Sequence, residues 1–331
     1  MKKDYIQHLS EKMEKELLKP ENAGLLKMIA DDDLVFAVRK GKPMVYFSGG
    51  VFCWILTNKK GEIYLKIDPS YAKKEKRPGR KSKDEPLAPP VYIPEYLELL
   101  NSLNGEEENH KSWQKQKDGW LKNKEEIKKI MKNFYINVKR NEEGERRHQI
   151  AVNNNDFSED VVVLDFEYGM VGETKDEAKK HGKINKVDII ALVRNGDKYD
   201  IAIIELKVGT DAFRGKAGIA DHVKDFGEVL KPKAKDCIIK SVVNIVNIKT
   251  KFNLIKNAPA VFNEDILTKR VYPAILVYEY ERDVQAVNRM IKDEIDAAVR
   301  EMVNPPGELY YSTTNETNCK LSLELLTKNK A

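Results

Sequence analysis

Apolar residues near the start of the chain recur at helical spacing. Ile6, Leu9, Met13 and Leu17 stand among charges, which predicts a helix over residues 5–30 that breaks near Pro20. From Leu34 the period shortens. Residues 34–38, 44–47, 51–56 and 63–67 are β-prone runs, separated by turn-forming stretches at 41–43, 48–50 and 58–61. That spacing predicts a small antiparallel meander. Periodicity is then lost over 68–94. It returns as two helices near 94–103 and 112–133, the second with Trp113, Trp120, Ile127 and Ile130 on one side. A boundary near residue 135 gives a mainly-β domain over 1–135 and a second domain over 136–331.

Beyond residue 142 the pattern reads helix, strand, hairpin, helix, helix, strand, helix. Residues 145–150 read as helical. Strands are predicted at 161–167, 187–193, 199–208 and 271–280. A last helix over 283–303 places Val284, Val287, Ile291, Ile295, Ala298 and Met302 on one stripe and stops before Pro305-Pro306-Gly307. No internal repeat is visible.

Composition changes this picture little. The 331 residues are 41% apolar and 34% charged, which is polar but leaves ample material for a core. The net charge of +5 matters less than its distribution. Lys73, Lys74, Lys76, Arg77, Arg80, Lys81 and Lys83 crowd around Pro78-Gly79, and four more prolines follow by Pro94. This predicts a basic flexible loop over about 70–92. Three cysteines, Cys53, Cys237 and Cys319, with no Cys-x-x-Cys pair, argue against a disulfide framework or structural zinc and fit a reducing cytoplasm. The charged N-terminus is expected to carry no secretory signal, and no apolar run approaches the ~18–20 residues of a membrane span. Nucleotide-binding glycine loops, His-Glu-x-x-His and Gly-x-Ser-x-Gly are all missing from the sequence.

Chemistry concentrates in residues 186–207. Asn195-Gly196 between two β-rich runs is a strong hairpin signal. If the tight end lies at Asn195 to Lys198, Asp188 falls across from Glu205. Side chains alternate faces along a strand, so Glu205 and Lys207 project together while Leu206 projects oppositely. Asp188 shares their face with Ile190, Leu192, Ile201 and Ile203. Two carboxylates about 5 Å apart on an apolar surface repel, and Lys207 supplies one positive charge. A divalent cation is the natural further partner. Glu126-Ile127-Lys128 and Glu177-Ala178-Lys179 repeat the Glu-x-Lys pattern in polar stretches, where the charges are simply solvated. Glu205-Leu206-Lys207 instead ends a run read as buried, and buried charges are seldom left without function or pairing.

Asp188, sixteen intervening residues and Glu205-Leu206-Lys207, on a hairpin with helices on both sides, resemble the PD-(D/E)XK nuclease superfamily over roughly residues 140–300. The Pro-Asp of that motif is Val187-Asp188 here. The resemblance implies an α/β fold with a restriction-endonuclease-like core, a mixed sheet flanked by helices, following the N-terminal mainly-β domain. It implies a Mg²⁺-dependent endonuclease, with Mn²⁺ able to substitute. Asp188, Glu205 and the carbonyl of Leu206 would hold the metal, and Lys207 would position or deprotonate the attacking water. Members often add an acidic residue from the first core helix, for which Glu145 is the choice and Glu142 and Glu143 its rivals. Glu167, expected to end the first strand on the face of Asp165, is a further candidate. A Gln or His often stands on the helix after the Lys, and His222 fits that place.

Nucleic acid, DNA before RNA, is the expected partner. Lys216 could meet a phosphate, as could Lys73, Lys74, Arg77, Arg80 and Lys81 of the basic loop and the Lys-rich helix near 111–132. Trp113 and Trp120 read as core rather than stacking platforms. No membrane partner is expected; a second copy of the chain or a defence-system protein is. By family analogy the role is prokaryotic restriction or anti-phage defence. The competing readings are a nuclease-fold binding or scaffold subunit that does not cleave, and a repair or recombination nuclease.

Overall fold

The computed structural model describes residues 8–30, 33–39, 41–47, 50–75, 89–104, 111–137, 156–170, 185–215, 217–278, 283–303, 305–315 and 321–331, without the side chains of 136–137, 167–170, 185–186 and 211. The chain divides into two compact units, one of Leu9–Ile150 and the other of Met1–His8 with Ala151–Ala331. The protein is mixed α/β, with one sheet in each unit.

In the first unit, helix α1 (Glu11–Leu17) opens where the Ser10 hydroxyl accepts the backbone N–H of Met13 at 3.2 Å. Pro20 begins a short 3-10 turn, Pro20–Asn22, and α2 (Ala23–Ile29) follows, so the break falls where proline demands it. Strands β1 (Val35–Arg39), β2 (Lys42–Phe47), β3 (Gly50–Thr57) and β4 (Ile63–Lys66) form the expected antiparallel meander in sequential order. Helices α3 (Pro94–Asn104) and α4 (Trp113–Asn137) complete the unit. Trp113, Trp120, Ile127 and Ile130 are all buried. Trp120 meets Phe52 of β3 edge to face at 5.8 Å, an arrangement aromatic pairs prefer.

Two expectations are corrected here. The unit is not mainly β: α4 alone has 25 residues, more than the four strands of 5, 6, 8 and 4 residues combined. A single sheet face of this size needs a helical layer to bury it, and α4 supplies that layer. The basic segment is also narrower than 70–92. Residues Pro69–Ala72 form a 3-10 turn with Tyr71 and Ala72 buried, Lys73 bridges Tyr92, and Lys74 N–H donates to the Val91 carbonyl at 2.9 Å. Arg77, Arg80 and Lys81 lie outside the described residues.

Two side-chain amides take up the outward backbone groups of Leu65 in β4 and of Ile67 just after it. Gln116 Oε1 accepts from Leu65 N–H at 2.8 Å while its Nε2 donates to the Leu65 carbonyl at 3.1 Å. Asn104 repeats this two residues on, with 2.8 and 2.9 Å contacts to Ile67. Gln116→Leu keeps the volume but strands both polar groups of Leu65 in the interior. We expect a loss of about 1–3 kcal/mol, seen as a lower urea midpoint at unchanged slope.

The second unit is a six-stranded mixed sheet. Strands β5 (Val161–Met170), β6 (Asn185–Asn195) and β7 (Lys198–Val208) run antiparallel. Helices α5 (Ile219–Val229) and α6 (Pro232–Lys251) then lead to β8 (Leu267–Tyr278), parallel to β7. After α7 (Val284–Arg300), β9 (Tyr310–Thr314) adds parallel to β8. A short α8 (Leu323–Thr327) and β10 (Asn329–Lys330) close the order β10-β9-β8-β7-β6-β5. One sheet face, with Ile190, Leu192, Ile201, Ile203, Ile275 and Val277, shares a continuous core with the inward stripes of α5, α6 and α7. Strands β9 and β10 are absent from the sequence reading, and β8 spans Leu267–Tyr278 rather than 271–280. Among the described residues no helix is long and apolar enough to cross a membrane.

Candidate active site

The β6–β7 hairpin sets the site's geometry. Gly196 adopts φ +61° at the first central position of a two-residue turn, where an L side chain is disfavoured. From Asn195↔Lys198 the ladder runs without slippage to Ile189↔Ile204. The register is therefore the expected one, and its next step leads to Asp188 and Glu205. There the backbone pairing gives way to a side chain: Asp188 Oδ2 accepts the N–H of Leu206 at 2.8 Å.

Glu205 and Lys207 flank Leu206 and share the helix-covered face. Both are buried, at 3% and 6% exposure. Lys207 Nζ donates to Glu205 Oε1 at 2.6 Å. Beyond Val208 the chain turns sharply. Gly209 and Gly215 take φ +72° and +78°, and Ala217, with a side chain, is also left-handed at +66°. Gly218 follows against the Phe213 carbonyl, where a Cβ would sit 2.5 Å from that oxygen. This close fit fixes where α5 begins. His222 lies three residues after Ile219 and four before Phe226, both buried, so it faces the sheet. Its Nε2 stands 2.8 Å from Glu205 Oε1, 3.0 Å from Lys207 Nζ and 3.1 Å from the Ala217 carbonyl.

Charge compensation thus differs from the simplest expectation. Asp188 draws on a backbone N–H, while Glu205 Oε1 is shared by Lys207 and His222. His222 Nε2 can accept from Lys207 when it carries no proton, or donate to Glu205 and Ala217 when it does. The other carboxylate oxygen, Glu205 Oε2, is buried without a hydrogen-bond partner. Such an oxygen is costly unless something completes it, and a hard cation with oxygen ligands fits. Among the described residues no group of three or more His, Cys, Asp or Glu is arranged to hold a metal. Two carboxylates and a backbone carbonyl are the set that could.

The hairpin and α5 bring Asp188, Glu205, Lys207 and His222 together. Glu167 does not end its strand, since β5 continues to Met170. A bulge between Val163 and Asp165 shifts the register, so that Phe166↔Ile189 and Tyr168↔Val187 bracket Glu167 opposite Asp188. Glu145 and Lys216 lie outside the described residues. Lys73 and Lys74 belong to the other unit. Lys128 of the Lys-rich helix, expected with Glu126 to be simply solvated, is instead turned inward and paired with Asp33 at 2.6 Å, and is not offered to phosphates.

Two buried polar features, Lys249 and Thr313, had no place in the sequence reading, and Asp165 entered it only as the face-mate of Glu167. Asp165 is 1% exposed and accepts the Phe166 N–H at 2.8 Å. Lys249 of α6 is buried and donates to the Leu164 carbonyl at 2.6 Å. Thr313 of β9 is buried and donates to Asn288 Oδ1 of α7 at 2.7 Å. The signal was a polar residue in an apolar stripe: Lys249 continues Val242 and Val246, and Asn288 continues Val284. Comparison of the chain with protein-family models, with curated proteins and with solved structures found no match.

Proposed function

We propose that the second unit is a Mg²⁺-dependent endonuclease that hydrolyses phosphodiester bonds of nucleic acid, DNA before RNA, on a restriction-endonuclease-like core. The observation that carries this reading is Glu205: a buried carboxylate on the same strand face as Lys207, with one oxygen held by Lys207 and His222 and the other unpartnered. In support, an antiparallel hairpin, a helix pair and a parallel strand follow one another around it.

Asp188, Glu205 and the Leu206 carbonyl would hold the metal. The N–H of Leu206 points towards Asp188, and the carbonyl of a strand residue points to the same side as its N–H. When bound, the ion supplies Lewis acidity towards the phosphate and lowers the pKa of coordinated water. The chain's own groups do the rest. Lys207, a cation kept from solvent, stabilises negative charge developing beside Glu205. His222 Nε2 contacts both, and can accept a proton from Lys207 or hold one against Glu205. The left-handed loop positions α5 and, with it, the imidazole. The family analogy extends the proposal to restriction or anti-phage defence.

The test is incubation of the full chain with supercoiled, linear and single-stranded nucleic acid, in Mg²⁺ and in EDTA. Cleavage that EDTA stops is expected. Binding with no cleavage of any substrate would replace this reading with the scaffold one.

A further inference from the structure

Three other side-chain amides in the helices use both ends on backbone. Gln116 does so on Leu65 of β4 and Asn104 on Ile67 just after it, and Asn247 of α6 donates to the Phe262 carbonyl at 2.8 Å while accepting its N–H at 3.3 Å. These amides are structural. Asn288 is built differently. Only its oxygen is engaged, by the buried Thr313 hydroxyl at 2.7 Å, and its Nδ2 has no partner among the described residues. Asn288 lies three residues before Ile291 and seven before Ile295, on the side of α7 that otherwise packs the core. A polar residue there breaks the local pattern without a backbone partner to justify it.

Its place in the sheet gives the reason. Lys207, Val277 and Thr313 stand in register across β7, β8 and β9. Ile275 and Tyr311, two residues earlier on β8 and β9, belong to the helix-covered core, so Thr313 opens on the face that carries Lys207. Two strand spacings, about 10 Å, separate the Lys207 and Thr313 backbones. Because β7, β8 and β9 are parallel, this row lies at their carboxyl ends, where α5 and α7 begin. Ligands favour that crevice in α/β sheets, and helix N-termini there favour anions.

We propose that Asn288, oriented by Thr313, binds a phosphate of the nucleic-acid strand that flanks the scissile one. The inference rests on the nuclease reading and extends it. Fixing Oδ1 leaves Nδ2 as a two-proton donor aimed away from Thr313. Its anchor Thr313 stands about two strand spacings from Lys207 at the backbone, which suits Nδ2 to a phosphate next to the reacting one rather than to that one. Asn288 is thus a substrate-binding residue and Thr313 a positioning residue.

The experiment measures steady-state cleavage of a short labelled oligonucleotide by wild type, Asn288→Ala, Asn288→Asp and Thr313→Val, with melting temperatures as the folding control. Asn288→Ala should raise KM about tenfold with kcat unchanged, the value of one hydrogen bond to a charged group. Asn288→Asp should raise it further by repulsion, and Thr313→Val should move KM in the same direction by less. Repeating the series on a substrate whose flanking phosphate is an uncharged methylphosphonate should erase the difference between wild type and Asn288→Ala, because both changes remove one contact. An unchanged KM in Asn288→Asp overturns the proposal. So does a loss confined to kcat and melting temperature, which marks a packing role, or an equal KM rise on the methylphosphonate substrate. Wild type that binds but cuts nothing removes the nuclease reading and this inference together, whereas normal cleavage by all three variants removes this inference alone.

Discussion

Lys207→Ala should lose cleavage by about 10²–10³-fold while retaining nucleic-acid and metal binding. The size is that of removing one preorganised charge from a water-excluded site. Lys207 is buried and lies 2.6 Å from Glu205 Oε1, so its ammonium is already oriented and needs no reorganisation as charge develops. Metal affinity should not fall, because deleting a cation leaves the site more negative. The metal-free fold should suffer, since Glu205 keeps only His222 beside it, and a buried charge that loses its partner is strongly destabilising. Melting curves with and without Mg²⁺ should therefore show a larger metal-induced rise in this variant than in wild type. Cleavage assays, metal titration and melting on one preparation check all three statements. Full cleavage by Lys207→Ala would sink the catalytic role given to it.

Glu205→Gln and Asp188→Asn should each abolish measurable Mg²⁺ binding, and cleavage with it. Glutamine keeps an oxygen for Lys207 and His222 but removes the charge from the oxygen that now lacks a partner. Asparagine can still accept the Leu206 N–H through its oxygen. Repulsion between the two acids would make alanine variants harmless to the fold. The structure overturns that expectation for Glu205, because it already compensates Lys207, and Glu205→Ala would leave a buried ammonium unpaired. Isosteric amides are the informative substitutions. Mn²⁺ or Mg²⁺ affinity unchanged in both, by calorimetric titration, would remove these residues from the metal site.

Local chemistry decided what could be read in advance. The hairpin was legible because Asn195-Gly196 fixes a tight turn and alternation then fixes every face up to Glu205 and Lys207. His222 was legible as a position on the helix after Lys207, but its approach to Glu205 depends on the left-handed residues Gly209, Gly215 and Ala217, which leave no mark in the hydrophobic pattern. The bulge before Asp165 was equally silent. It places Glu167 opposite Asp188 by adding one residue to β5, a change that strand periodicity alone cannot register. Strand β9 was missed because Tyr-Tyr-Ser-Thr-Thr has no alternation of its own; pairing with β8 makes it a strand. With β9 unread, Thr313 and its partner Asn288 had no place in the site.

The amides on β4 bear on how copies of this protein can meet. β4 is the last strand of its sheet, and such a strand normally offers a row of open backbone groups on which another chain can polymerise. Gln116 and Asn104 sit where an added strand would form its hydrogen bonds, so Leu65 and Ile67 have nothing left to give. Growth by strand addition along this side of the meander is blocked by the helices that carry these two amides rather than by charge or proline. Strand addition to this sheet would have to use its other edge, β1.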